Sequence, residues 1–95
     1  MDIYSFNIKK GENKMVITKY VFIHGISDLM ELVREATKVN GDVLCKKGKY
    51  IVDAKSLMGM MSIDPSTGVT FEYPDDAVDF DSFLNKFMKN SNGEG

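Results

Sequence analysis

The chain reads as an α+β domain, an open-faced sandwich whose antiparallel sheet is covered on one face by helices. Three observations predict it. Strand-like and helix-like stretches follow the order β-α-β-β-α-β-α behind an optional first strand. Leu29, Leu32, Val33 and Ala36 recur at i, i+3, i+4, i+7, and Phe80, Phe83, Leu84, Phe87 and Met88 line one face of a last helix. At 95 residues there is room for one two-layer core and no second one. The expected organisation is a domain over 15–90, an N-terminal extension or extra strand over 1–14, and a frayed polar tail over 91–95.

Taken in order, Ile3 to Ile8 and Met15 to Ile23 have strand character and are separated by Lys9 to Lys14, with Gly11 and Asn13 to make a turn. Tyr4, Phe6 and Ile8 alternate on one face of that hairpin. Ser27 and Asp28 offer N-caps for the first helix, with Glu31 at capping-box spacing from Asp28, and the helix is expected to run to about Val39 and end at Asn40-Gly41. Val43 to Lys46 and Lys49 to Val52 form a second hairpin joined at Lys47-Gly48. Ser56 then caps a short methionine-rich helix. Asp64-Pro65-Ser66-Thr67-Gly68 is a turn, Val69 to Tyr73 a strand stopped by Pro74-Asp75-Asp76, and the last helix carries Asp79 and Asp81 near its positive end.

Composition narrows the function. Hydrophobic residues at 43% and charged residues at 27% are those of a folded protein, and a net charge of -2 gives no overall basic field to attract nucleic acid or anionic membrane. Protein partners are expected instead. The lone Cys45 has no intramolecular disulfide partner and reads as a small buried apolar group, which with the lack of a signal-like or membrane-spanning stretch points to the cytoplasm. Asp75, Asp76, Asp79 and Asp81 lack the ligand alternation of a calcium loop and read as caps and solubilising charge, so no metal and no cofactor is expected. Lys46, Lys47, Lys49 and Lys55 beside Tyr50 are a modest basic run on an otherwise acidic chain. With one histidine and no nucleophile, base and orienting acid to assemble, self-contained catalysis is not expected.

The most informative run is Gly48 to Ser62, which joins a turn, a strand and an amphipathic helix start with Ser56 at the junction. Lys55-Ser56-Leu57-Met58-Gly59 and Met61-Ser62 resemble the K-S-[IL]-M-G-x-M-S segment of the HPr family, the histidine-containing phosphocarriers of the bacterial sugar phosphotransferase system. In that family the serine is a regulatory phosphorylation site, and the short helix and the first one form the docking face for enzymes and regulators. The resemblance implies an HPr-like sandwich, a regulatory role for Ser56, and partner contacts at Leu57, Met58 and Met61. Leu57, Met58, Met60 and Met61 cannot all face inward from so short a helix, and methionine adapts to several partner surfaces.

His24, the sole histidine, stands in the connection before the first helix, where the family carries its phosphoacceptor. A neutral imidazole can attack a phosphoryl donor, and a helix N-terminus can hold the phosphate. The surrounding motif departs from the family's G-[IL]-H-x-R-P: the chain reads Phe22-Ile23-His24-Gly25-Ile26-Ser27, with Ile26 where the arginine stands and Ser27 where the proline stands. Aligning Val33-Arg34-Glu35-Ala36 with the family's helix also places Gly25 at the histidine position, a shift of one residue. The resemblance therefore implies an HPr-like regulatory or interaction module with impaired carrier chemistry, or alternatively a working carrier that passes a phosphoryl group from His24 to sugar-transport components. Its partners would be phosphotransferase-system enzymes, a serine kinase or a transcriptional regulator.

Overall fold

The structure, a computed structural model, describes the backbone of residues 3–9 and 12–88 and the side chains of residues 15–88. Five strands and three helices follow in the order β1 (Ile3–Lys9), β2 (Glu12–Val21), α1 (Ile26–Thr37), β3 (Leu44–Lys47), β4 (Tyr50–Asp53), α2 (Leu57–Ser62), a 3-10 turn (Pro65–Thr67), β5 (Val69–Pro74) and α3 (Val78–Asn85). The strands form one sheet in the order β1-β2-β5-β3-β4, every neighbouring pair antiparallel. This is the expected open-faced sandwich with its extra N-terminal strand.

Alternation along the strands sends one set of side chains under the helices. Ile17, Lys19 and Val21 of β2 lie opposite Tyr73, Phe71 and Val69 of β5, and Cys45 of β3 lies opposite Phe71 and Val52. All of these but Val52 are buried, and Val52 packs against them half-buried. Leu29, Leu32 and Ala36 of α1, Met60 of α2, and Phe80 and Leu84 of α3 close the core from above. Each of the larger apolar side chains contributes roughly 1.5–3 kcal/mol by leaving water. Phe80 adds edge-on ring contacts to Tyr73 at 5.2 Å and Phe71 at 6.1 Å between centroids. The opposite sheet face carries Thr18, Tyr20, Lys46, Ile51, Thr70 and Glu72, none of them buried, with Lys46 and Glu72 paired at 2.7 Å.

Several boundaries differ from the sequence expectation. Pairing in the first hairpin extends to Lys9 opposite Glu12, so β2 starts earlier than Met15, and it ends at Val21 rather than Ile23. Neither Ser27 nor Asp28 caps α1: the cap is Gly25, with φ 91°, and no side chain closes the helix start. The helix ends at Thr37 because the Thr37 hydroxyl donates to Arg34 O at 2.6 Å and the next N–H groups tighten, Lys38 to Glu35 O and Val39 to Ala36 O. Asn40-Gly41 therefore lies beyond the helix end. The second hairpin is displaced by one residue, its turn formed by Gly48 and Lys49 between paired Lys47 and Tyr50. α3 stops at Asn85, leaving Phe87 and Met88 packed on the core from outside the helix. The alternation of Tyr4, Phe6 and Ile8 and the tail over 91–95 lie outside the described residues.

Candidate functional site

Ser56 closes the start of α2 as the sequence predicts. Its hydroxyl oxygen accepts the Gly59 N–H at 3.1 Å and its carbonyl accepts the Met60 N–H at 3.0 Å. The residue is presented by a tight exit from β4, in which the Ser56 N–H donates to Asp53 O at 2.9 Å and the Lys55 N–H donates to Asp53 Oδ1 at 2.9 Å. Gly59 lets the helix lie close on β4: a Cβ there would stand 3.3 Å from Val52 Cβ and 3.4 Å from Ser56 Oγ. Lys55 is turned away to Val39 O, which its ammonium reaches at 3.0 Å.

The four apolar residues of α2 divide as its length requires. Met60 is fully buried, Leu57 is half-buried against the core, and Met58 and Met61 are 82% and 54% exposed. Ile26 and Met30 of α1 are exposed as well, and Ile26 and Met61 line one shallow groove of about 410 Å³ together with Ile23, Gly25, Leu29, Asp64, Pro65 and Ser66.

His24 is exposed, between the groove-lining Ile23 and Gly25, in a connection pinned by two backbone hydrogen bonds. The Phe22 N–H donates to Phe87 O at 3.1 Å and the Ile23 N–H donates to Pro65 O at 3.1 Å. Gly25 then starts α1, its carbonyl taking the Leu29 N–H at 3.2 Å. Ile26 is the first helical residue and carries no charge to the loop. Across the groove Asp64 sits in a left-handed conformation, φ 49°. The Ser66 hydroxyl, donating to Asp64 Oδ1 at 2.7 Å, is the main cause holding its carboxyl below the usual carboxylate range, with the charges of Lys47 and His24 adding to the effect.

Two further lysines of the basic run, Lys46 and Lys47, are engaged. Lys46 pairs with Glu72, and the Lys47 ammonium donates to Ile63 O at 2.9 Å and Asp64 O at 3.1 Å, satisfying carbonyls at the end of α2. Among the described residues no group of acidic, histidine and cysteine side chains could hold a metal ion, and no helix is long and apolar enough to cross a membrane.

One constellation escaped the sequence reading. Lys19, 2% exposed, places its ammonium 2.8 Å from Asp81 Oδ1 and 2.6 Å from Asn85 Oδ1, and the Tyr73 hydroxyl donates to the same Asp81 oxygen at 2.6 Å. Asp81 is thus a partner of the core and not the cap or solubilising charge expected of it; the N-cap position of α3 is Ala77, and no side chain caps the helix. The signal available in the sequence was Lys19 standing in phase with Ile17 and Val21 on the inward face of a strand.

No family model matches the chain, and no curated protein does. Among solved structures it is similar to the crystal structure of a phosphocarrier protein HPr from Bacillus anthracis strain Ames, with 22% identity over 77% of this chain and 98% of that chain and a TM-score of 0.60. Agreement over nearly all of that protein assigns an HPr-like fold.

Proposed function

We propose that the chain is a cytoplasmic HPr-like protein of a bacterial sugar phosphotransferase system, a regulatory or protein-interaction module with a serine phosphorylation site at Ser56 and impaired phosphocarrier activity at His24. The observation that carries this reading is the position of Ser56 as the cap of α2, one turn from the exposed Met58 and Met61 and facing solvent in part. Transfer of the γ-phosphoryl group of a nucleoside triphosphate to Ser56 Oγ, with release of the nucleoside diphosphate and the hydroxyl proton, would place about 1.5–2 negative charges beside that apolar surface. Such a charge changes which partners bind without unfolding the domain. Leu57, Met58 and Met61 are the proposed contacts, Leu57 mainly by supporting the two methionines, and the partners are phosphotransferase-system enzymes, a serine kinase or a transcriptional regulator.

Impaired carriage follows from the environment of His24: Ile26 offers no guanidinium to a phosphohistidine, and Asp64 offers a negative charge. One feature favours the alternative of a working carrier. The first-turn N–H groups of α1 have no side-chain cap and open beside His24, a place where a phosphoryl group could be held.

Incubation with the family's general phosphotransferase enzyme and phosphoenolpyruvate decides between the two. Little label on the protein is expected; rapid stoichiometric labelling that disappears in His24→Ala would establish the carrier instead. For the regulatory site, Ser56→Asp and authentic phosphoserine should both change affinity for a partner whose binding is lost in Met58→Ala, and unchanged affinity for both would reduce Ser56 to a cap.

A further inference from the structure

The buried lysine of β2 and His24, in the connection that follows the strand, are five residues apart, and this stretch is tied both to α3 and to the residues just after it. Lys19 grips α3 at two places one turn apart, Asp81 and Asn85, from beneath a helix that otherwise rests on Phe80 and Leu84. Past the helix, the Phe22 N–H donates to Phe87 O and Val21 pairs with Met88, so the segment after α3 is laced to the end of β2 immediately before Ile23 and His24. We propose that the Lys19–Asp81 pair is a latch that couples the docking of α3 to the order of the His24 connection.

The physical argument is the cost of a buried charge without its counter-charge. With Lys19 2% exposed, loss of charge at Asp81 removes the carboxylate charge 2.8 Å from the buried ammonium and leaves the neutral Asn85 Oδ1 at 2.6 Å, which favours lifting α3 from the sheet to admit water. Lifting α3 withdraws Phe87 and Met88 from Phe22 and Val21, and the connection to His24 then loses one of the two hydrogen bonds that pin it. Asp81 is the accessible half of the pair, its side chain 28% exposed, so the latch opens from the carboxylate side.

Amide hydrogen exchange on the full chain at neutral pH tests the latch without reference to any phosphotransfer activity. In Asp81→Asn the amides of Phe22 and of α3 should exchange about tenfold faster or more, while those of the β3–β5 ladder keep their protection. In Lys19→Met/Asp81→Asn, where no buried charge remains, exchange at Phe22 should return to within about threefold of wild type. The imidazole resonances of His24 should shift and broaden in the single variant and recover in the double. Unchanged exchange at Phe22 in Asp81→Asn, acceleration equal in every strand, or a double variant no better protected than the single would each overturn the proposal. If Asp81→Asn fails to fold at all, a folded double variant with wild-type exchange supports the latch and an unfolded one refutes it.

Discussion

Ser56 holds the start of α2 with one hydroxyl oxygen, so the two simplest substitutions there should separate. Ser56→Ala should cost about 0.5–2 kcal/mol in denaturant unfolding, whereas Ser56→Asp should leave the transition almost unmoved because Asp also caps and suits the helix dipole. Cys45 makes the opposite kind of prediction. Burial pushes its thiol up from 9.0 to about 12, so an unfolded chain gives up this proton near 9.0 while the folded chain keeps it. Stability should therefore fall as pH rises through that window, and Cys45→Ala should flatten the slope of unfolding midpoint against pH between 9.0 and about 12. A thiol reagent should label wild type only as fast as it unfolds. Ser56 could be read from sequence because a cap is a local device, set by the residue and the apolar run behind it. Lys19 could not, since its partners Asp81 and Asn85 are 62 and 66 positions away and a lysine in a strand ordinarily points to water.

The helices show the same division between face and end. α3 displays its apolar stripe as the 3.6-residue period requires, yet the stripe is graded: Phe80 is 2% exposed, and Phe83 is half-buried at the rim, edge-on to Phe87 at 5.3 Å with the Lys86 ammonium over its ring at 4.6 Å. Phe80→Ala should accordingly cost about 3–5 kcal/mol and Phe83→Ala distinctly less, as read from chemical denaturation. Which residues face the core follows from periodicity alone; where an element stops depends on hydrogen bonds that sequence spacing does not specify. Thr37 ends α1 with its own hydroxyl, Gly25 starts it without any side-chain help, and the Gly48-Lys49 turn shifts β3 and β4 by one residue from their expected limits. At the candidate site this mattered little for Ser56, Met58 and Met61, whose positions follow the expected helix, and more for His24, whose neighbours Pro65, Asp64 and Phe87 come from distant parts of the chain.

For the molecule as a whole, the acid limb of stability should report the core ion pair. Burial works against ionised Asp81, but the hydrogen bonds from Lys19 and Tyr73 outweigh it and hold the carboxyl below its ordinary 3.8. A carboxyl depressed in the folded state contributes stability above the unfolded value and loses it as pH falls through the folded one, so the protein should weaken below about pH 3.8. Lys19→Met removes the attracting charge, and its unfolding free energy should vary less with pH across that range. A different consequence attaches to the position of β5 in the sheet. It lies between β2 and β3, and its pairing joins Val16 to Pro74 and Val21 to Val69, so the middle of the sheet is closed by a strand made late in the chain. During synthesis the first hairpin, α1 and the β3–β4 hairpin emerge with no central partner to align them, and the core can assemble only once residues beyond Pro74 have cleared the ribosome. Folding of this chain thus waits on β5, and any truncation that removes that strand should yield a collapsed or unfolded product instead of a smaller domain.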